Sequence, residues 1–497
     1  LAGVTDFSQP VAVTDAAQEE SAAVSGLFGR DMVYLAFWGL QIVLAAALTP
    51  VTTRLMGRTE FGEASAAVAV MQLLNCLFSF SLYTAVQRAY AREGGEENAR
   101  RLVTLAIVLS IVTGAIAYGT GRWWCPAIGL GPFPSVIRYA VLWSVMGAIT
   151  APALGLIRSR DQLGGFVLAS TAQSIFAQAL ALALVIFVQA TASEYILGQL
   201  IGEVVTAAIA LLIVRPRLLA RVHLPMLTDS LRFSSALIPA MIAAFVFNAS
   251  DRIVIHADLG PARLSRYAVA ANIGGFSVVL LELVNMVWMP RMFAIKDIET
   301  RRNVLGTSRD GLYMLSIAFA IAIVAASPAL LWLWAPSSYQ PRTLLLVTAL
   351  VAAGALPYAD TMIYTQVLTV SGRTKAVAVS AAGASLLNLA LNLALVPSLG
   401  IDGSAGISCF CYGVGALRSR IAAGSDGPPV NRRALAMLIG GMAVCIASAA
   451  APPYGVALVV RLLIAAAATV GFFVQLLALT RPEALQSLRS RFVKARV

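Results

Sequence analysis

The sequence predicts an all-α, polytopic membrane protein of about fourteen transmembrane helices, built as two pseudo-symmetric six-helix bundles with two further helices at the C-terminus. Three observations carry the prediction: composition, the placement of basic residues, and an internal repeat. Of the 497 residues, 59% are apolar and 12% charged, with a mean hydropathy of +0.81, against roughly 45 to 50% and 25% in a soluble domain. So much apolar surface exceeds what a soluble core can bury. Apolar runs of roughly 20 residues, each able to cross about 30 Å of hydrocarbon, recur along most of the chain.

Taken in order, runs bounded by charge, Gly or Pro place helices near 31–53, 63–87, 102–120, 135–157, 163–190, 194–214, 231–253, 265–290, 310–333, 342–369, 375–397, 399–418, 433–451 and 455–479. Ahead of them, residues 1–29 lack a basic n-region and an apolar h-region, so they read as a disordered cytoplasmic tail and not a signal peptide. The expected divisions are 30–222 for the first bundle, 223–420 for the second, 421–480 for the two appended helices and 481–497 for a basic cytoplasmic tail.

A net charge of +12 suits either a nucleic-acid surface or membrane orientation. The basic residues are spread between hydrophobic spans, which excludes nucleic acid as a partner and leaves membrane lipids. With the N-terminus inside, alternate loops hold Arg88/Arg92/Arg100/Arg101, Arg158/Arg160, Arg215/Arg217/Arg221/Arg232, Arg291/Lys296/Arg301/Arg302/Arg309, Arg373/Lys375 and Arg418/Arg420/Arg432/Arg433, joined by Arg30 and by Arg481, Arg489, Arg491, Lys494 and Arg496 of the C-terminal tail. The division is roughly 27 basic residues inside against about 9 outside, a strong positive-inside bias. It places both termini in the cytoplasm of a multi-pass protein of the bacterial inner membrane. The five cysteines, Cys76, Cys125, Cys409, Cys411 and Cys445, lie in or beside apolar spans and read as small hydrophobes.

The repeat aligns Leu55 through Gly62, followed by a helix ending at Arg88, with Asp258 through Ser265, followed by a helix ending at Arg291. The offset of about 203 superposes Gly57 on Gly260, and Pro152 and Pro357 correspond at nearly the same offset. Parallel repeats of this kind put a substrate path at the interface of the halves.

No hydrolase or transferase constellation is present: there is no G-x-S-x-G, P-loop or H-E-x-x-H, and only two histidines, His223 and His256. The outer loops are also too short for the extramembrane lobe of a membrane enzyme of glycan assembly. A transporter without catalytic residues, cofactor or metal is expected. Its candidate residues are polar groups inside hydrocarbon, which are costly and default to function.

The seventh helix carries Asn248, Asp251 and Arg252 in its outer third, a cationic lining of a cavity mouth tuned by the aspartate. Arg88 and Arg291 end the second and eighth helices as further cations of the substrate path. Glu282 with Asn285 on the eighth helix, and Asp360 near mid-membrane beside Pro357 on the tenth, are candidates for proton or ion coupling. Gln41, Gln72 and Asn75 face the same cavity, whereas Asn388 and Asn392 hold helices together. Trp332, Trp334 and Tyr339 read as an interfacial anchor. Glu203 and Arg461 are isolated and receive no role.

Two blocks of residues resemble a known group. Leu231-Arg232-Phe233-Ser234 through Ile238-Pro239, then Ser250-Asp251-Arg252 through Leu259-Gly260 and Tyr267, is similar to the seventh-to-eighth-helix signature of polysaccharide flippases. Gly372-Arg373, then Asn388 and Asn392, then Val396-Pro397 through Gly400 and Gly403-Ser404-Ala405-Gly406, resembles their eleventh-to-twelfth-helix pattern, with Ser404 and Gly406 in place of the usual alanines. The likeness covers most of residues 31–420, and is to the O-antigen and exopolysaccharide flippase branch of the multidrug/oligosaccharidyl-lipid/polysaccharide exporter superfamily.

The resemblance implies two bundles around a central cavity, alternating access, and an undecaprenyl-diphosphate-linked oligosaccharide as cargo, moved from the cytoplasmic to the outer leaflet by a monomer. A polysaccharide polymerase is an implied partner. The lipid II flippase and the cation-coupled drug antiporters are the nearest alternatives in the same superfamily. Arginine suits a diphosphate cargo, because its planar fork binds phosphate bidentately and stays charged.

Overall fold

The computed structural model describes residues 47–91, 95–217, 224–294 and 298–480, with side chains described except at 224, 286–294, 298–301, 304 and 477–480. Among these residues every regular element is a helix. The first apolar stretch, Ala47–Phe78, is parted at Gly57 (φ 71°) into α1 (47–56) and α2 (58–78). Beyond Phe80 and Ser81, α2 resumes as Leu82–Tyr90. There follow α3 (Gly95–Gly119), a short helix Gly121–Ala127, α4 (Ser135–Ser159), α5 (Leu163–Phe187) and α6 (Ala192–Val214). The second half begins with α7, in two pieces (Leu224–Ser235 and Ile238–Leu259), then α8 (Pro261–Ala294), α9 (Ile298–Trp334) and α10 (Leu345–Val370). Gly400 (φ 67°, ψ −156°) divides Thr374–Ala423 into α11 (374–399) and α12 (401–423). The chain continues with α13 (Arg432–Ser448) and α14 (Gly455–Thr480).

Among the described residues, eleven continuous helices are long and apolar enough to cross a membrane. Fourteen result because Gly57 and Gly400 each divide one stretch, and α13, with 17 residues, falls at the short end of what spans. Several helices outrun their expected bounds: α7 through α9 each gain a turn or more where hydropathy falls but no Gly or Pro stops the helix. Local signals account for other boundaries. Thr191 accepts from the Glu194 N–H at the start of α6 (3.4 Å), and Asn431 accepts from Arg433 and Ala434 (3.1 and 3.3 Å) at the start of α13. Gly260 ends α7 and Pro261 opens α8, the usual division of labour between those residues.

The repeat is visible in the packing. In the first half α4 is central, 72% buried over its most apolar stretch, against α2, α3 and α6, with α5 on α6. In the second half its counterpart α10 is 67% buried, against α8, α9 and the α11–α12 unit. Pro152 and Pro357 lie in these two central helices, and Gly57 and Gly260 (φ 71° and 84°) make the equivalent turns. Lipid offers little hydrophobic drive between helices, so close contact relies on small residues. A side chain at Gly198 or Gly202 would meet Ala181 or Ala177 within 2.3 Å, which puts α5 and α6 backbone to backbone.

The appended helices belong to the second half: α13 packs on α9 and α10, and α14 on α9. Arg461 of α14, 5% exposed, fixes that contact. Pro328 lacks the N–H that would pair with the Val324 carbonyl four residues back, and Arg461 Nη2 donates to that oxygen at 2.9 Å. Its Nη1 donates to Ser448 O and Ala451 O at and just beyond the end of α13 (2.8 and 3.0 Å), where the helix's own hydrogen bonds run out. The residue left without a role by the sequence thus joins three helices.

Candidate functional site

The two halves are tied at the end that carries Gly57 and Gly260. Thr53 Oγ donates to Trp334 O (2.7 Å), Arg54 Nη2 to Leu333 O (2.8 Å) and Tyr339 OH to Gly57 O (3.0 Å). His256 Nε2 lies 3.2 Å from Glu63 Oε2. Gly62 sits directly on the Pro261 carbonyl, with no room for a side chain. This revises the aromatic anchor: Trp332 is 75% exposed, but Trp334 and Tyr339 are buried and serve the junction, since the chain turns back over α1 after α9.

At the opposite end Arg88 stands over the Phe233 ring at 4.3 Å and 3.8 Å from Asp229. With Asn98, Met226 and Ser230 they line a cavity of about 160 Å³ between α2 and the first piece of α7. Both members of the ion pair are partly solvated, so the pair is weak and open to exchange with another anion. The backbone of Arg291 closes α8 near its end, but its side chain, like Gln41 and His223, lies outside the described residues.

The seventh-helix group separates by face. Asp251 is 7% exposed and turned to α8, where it accepts from the Tyr267 hydroxyl; it also accepts from the neighbouring Arg252 N–H of α7 (2.8 Å). Arg252 is half-buried and donates to Asn272 Oδ1 at 3.3 Å. Asn248 alone is exposed, and it accepts from Tyr412 OH at 3.4 Å. The expectation that Asp251 tunes a cationic lining therefore meets a different geometry, because its carboxylate and the Arg252 guanidinium point to different partners on α8.

Beyond Asp251, Ser404 donates to Asn392 Oδ1 (2.7 Å), Asn392 to the Asn388 carbonyl (2.9 Å), and Asn388 to Ser408 (3.3 Å). The Asp251–Tyr267 part of the first block and the Asn388–Ser404 part of the second thus meet, with Tyr267 hydrogen-bonded to Ser404, in one stretch of polar packing across α7, α8, α11 and α12.

Glu282 accepts from the Tyr358 hydroxyl, and the Tyr358 ring meets Tyr412 edge-on with centroids 5.1 Å apart. Tyr412 packs on Phe247 at 4.3 Å. An aromatic and polar wall therefore runs from Asn248 on α7 through α12 and α10 to Glu282 on α8. Asn285 accepts from Gln366 just beyond it. In the first half, Gln72 is exposed while Asn75 lies against Gly147 of α4.

Asp360, the candidate for proton or ion coupling beside Pro357, has a cation of the chain itself against it: Arg420 Nη2 bridges its two oxygens at 3.1 and 2.9 Å, and Tyr313 donates to it. Arg420, assigned by sequence to a cytoplasmic loop, lies inside α12. Arg309, also assigned to a loop, is 3% exposed in α9 and donates to Asp310 and to Pro429 O (2.8 Å). Long helices carry these charges further into the bundle than the hydropathy minima suggested.

The residues missed by sequence reasoning are the partners: Arg420, Tyr267, Tyr313, Tyr358, Tyr412, and Gln173 opposite Glu203. A tyrosine in an apolar span gives no polar signal by itself, and the partners lie 16 to 164 positions away. Among the described residues no three His, Cys, Asp or Glu side chains group to hold a metal ion, and the five cysteines are free.

Residues 28–296 match the family described as "Polysaccharide biosynthesis protein". The chain belongs to that family. No curated protein matches this member of the family. Among solved structures it resembles the lipid II flippase MurJ in its inward closed conformation, at 12% identity and a TM-score of 0.69, covering 91% of this chain and 99% of that one. A multidrug resistance MATE family transporter of the MOP superfamily in its inward-facing conformation matches at 14% identity and TM-score 0.61, over 78% of this chain and 95% of that one. An outward-facing MATE structure matches with a TM-score of 0.51 at 14% identity, over 84% and 94%. This polysaccharide biosynthesis protein therefore has the multi-pass transporter fold of that superfamily.

Proposed function

We propose that this chain is a flippase that moves a polyprenyl-diphosphate-linked oligosaccharide from the cytoplasmic to the outer leaflet by alternating access, for assembly of cell-surface polysaccharide. The observation that carries the reading is the contrast between the two ends of the interface between the halves. The Gly57 end is held by backbone contact and four polar ties. The Arg88 end offers a partly solvated arginine in a small cavity. A diphosphate can displace Asp229 from Arg88, because the single 3.8 Å contact gives way to a bidentate one on the guanidinium.

From there the wall Glu282, Tyr358, Tyr412 and Asn248 leads towards Arg252, and offers ring faces and hydrogen-bonding groups to sugar while the prenyl tail stays in lipid. We take 30–222 and 223–420 as the moving bodies, with 421–480 carried on the second, and both termini in the cytoplasm of a bacterial inner membrane. A charged headgroup cannot cross unaided, since one charge at the bilayer centre costs about 3 kcal/mol or more.

The fit of Asp360 with Arg420 favours a structural role for that pair and leaves Glu282 as the coupling candidate within the path. Flux tests the reading. Vesicles containing the purified chain should translocate labelled prenyl-diphosphate oligosaccharide well above empty vesicles. No flux, or preference for lipid II or for cationic drugs, would refute it.

A further inference from the structure

We propose that Glu203 is a proton-binding site in the first bundle, where a carboxyl held between α4, α5 and α6 takes up and releases one proton. Its use in transport rests on the proposed function; the proton site itself does not. Glu203 is the twelfth of 23 residues in α6 and 4% exposed, about 16 Å of helix from either end. Among the described residues its side chain meets neutral groups alone: Gln173 Nε2 at 3.1 and 3.2 Å from the two oxygens, with the Thr150 hydroxyl and Trp143 indole beside it. Among the described residues, α4, α5 and α6 bring no cation or second acid to it. Asp360 differs in having Arg420, Asp251 in having the charge of Arg252 beside it, Arg309 in having Asp310, and Arg461 in having four carbonyls.

A bare carboxylate at that depth is costly, and a bound metal ion would need oxygen ligands where this site turns N–H groups on the carboxyl. A proton fits. The Thr150 hydroxyl, within reach of both the Met146 carbonyl (2.9 Å) and Glu203, can accept from a protonated carboxyl or turn its hydrogen to an ionised one, so it serves both states. The Gln173 amide can present its nitrogen to the ionised form or its oxygen to the acid.

The local backbone gives a second, independent indication. Gln173 lies in a π turn, Ala172–Phe176, that interrupts α5. Such single turns occur often at functional sites. Immediately after it Ala177 and Ala181 lock onto Gly202 and Gly198. The wide turn thus faces Glu203 from beside a fixed contact, where a small shift of α5 opens or closes the carboxyl to water. The step is a simple dissociation: the carboxyl O–H bond breaks, the electron pair stays on oxygen and water takes the proton.

The purified full chain in phosphatidylcholine vesicles is treated with dicyclohexylcarbodiimide, which attacks protonated carboxyls in apolar surroundings. Modification of Glu203 is read by peptide mass spectrometry from about pH 6 to about pH 9. We expect Glu203 to be modified, and modification to fall about tenfold per pH unit once the acid ionises. Infrared difference spectra over the same range should show a protonated-carboxyl band that E203Q lacks. In flux, E203Q should lose its response to an imposed pH gradient and keep its response to membrane potential.

Absence of both the modification and the band overturns the proton site. A titrating Glu203 with an unchanged pH-gradient response in E203Q overturns the coupling. Labelling and spectra need no cargo, so they fail separately from the flippase reading. If E203Q does not fold, wild-type labelling decides the site, and flux of the wild type before and after carbodiimide treatment, with and without the pH gradient, decides the coupling.

Discussion

Replacing Asp360 by Leu should destabilise the protein by about 3 to 5 kcal/mol, because it strands a partly buried guanidinium. The side chains of Asp360 and Arg420 are 6% and 21% exposed, and one guanidinium nitrogen serves both carboxylate oxygens. Arg420→Met should cost a similar amount by stranding the acid. The double variant removes both charges and leaves only the Tyr313 hydroxyl without its acceptor, a loss of about 1 to 3 kcal/mol. A double-mutant cycle on SDS-induced unfolding in mixed micelles, followed by tryptophan fluorescence, should therefore be far from additive. Asp360→Asn should keep the wild-type flux response to imposed pH and sodium gradients. Additive losses in the cycle would refute the paired geometry. Loss of an ion response in Asp360→Asn at unchanged stability would return the residue to coupling.

Arg461→Met should detach α14 from α9 and lower stability by about 2 to 4 kcal/mol, since buried carbonyls at Val324, Ser448 and Ala451 lose a charged donor; protease sensitivity at the loop before Gly455 reports it, and unchanged digestion would count against the staple. Gly260→Ala and Gly400→Ala should each cost about 1 to 3 kcal/mol, because φ/ψ near 84°/167° and 67°/−156° is almost closed to other residues although the space is open; Gly164→Ala, in ordinary helix with open space, is the control that should lose nothing. Arg88→Ala should reduce flux of the diphosphate-linked cargo at normal expression, with Lys restoring part of it because it lacks the planar fork; full flux in Arg88→Ala would remove the residue from the path. Cysteine labelling near 95, 305 and 425 should occur only from the cytoplasmic side, and labelling of any two from outside intact cells would overturn the orientation.

The sequence by itself determined the membrane class, the two-fold repeat and most helix positions. Each rests on local quantities, namely apolar length, loop charge and Gly or Pro punctuation, which lipid enforces residue by residue because backbone groups must be satisfied within each helix. The equivalence of Gly57 and Gly260 was legible for the same reason: a turn of that shape admits little but glycine. What each intramembrane polar group does was decided only by tertiary structure. Asp360 and Glu203 look alike in sequence, as single acids in apolar helices, but Arg420 on α12 reaches the first while only Gln173, Thr150 and Trp143 reach the second. Arg461 reads as a stray charge until Pro328, on another helix, frees the carbonyl it binds. The role of a buried charge depends on the groups that neutralise it, and in a helical bundle those come from helices distant in sequence, where periodicity and spacing carry no information.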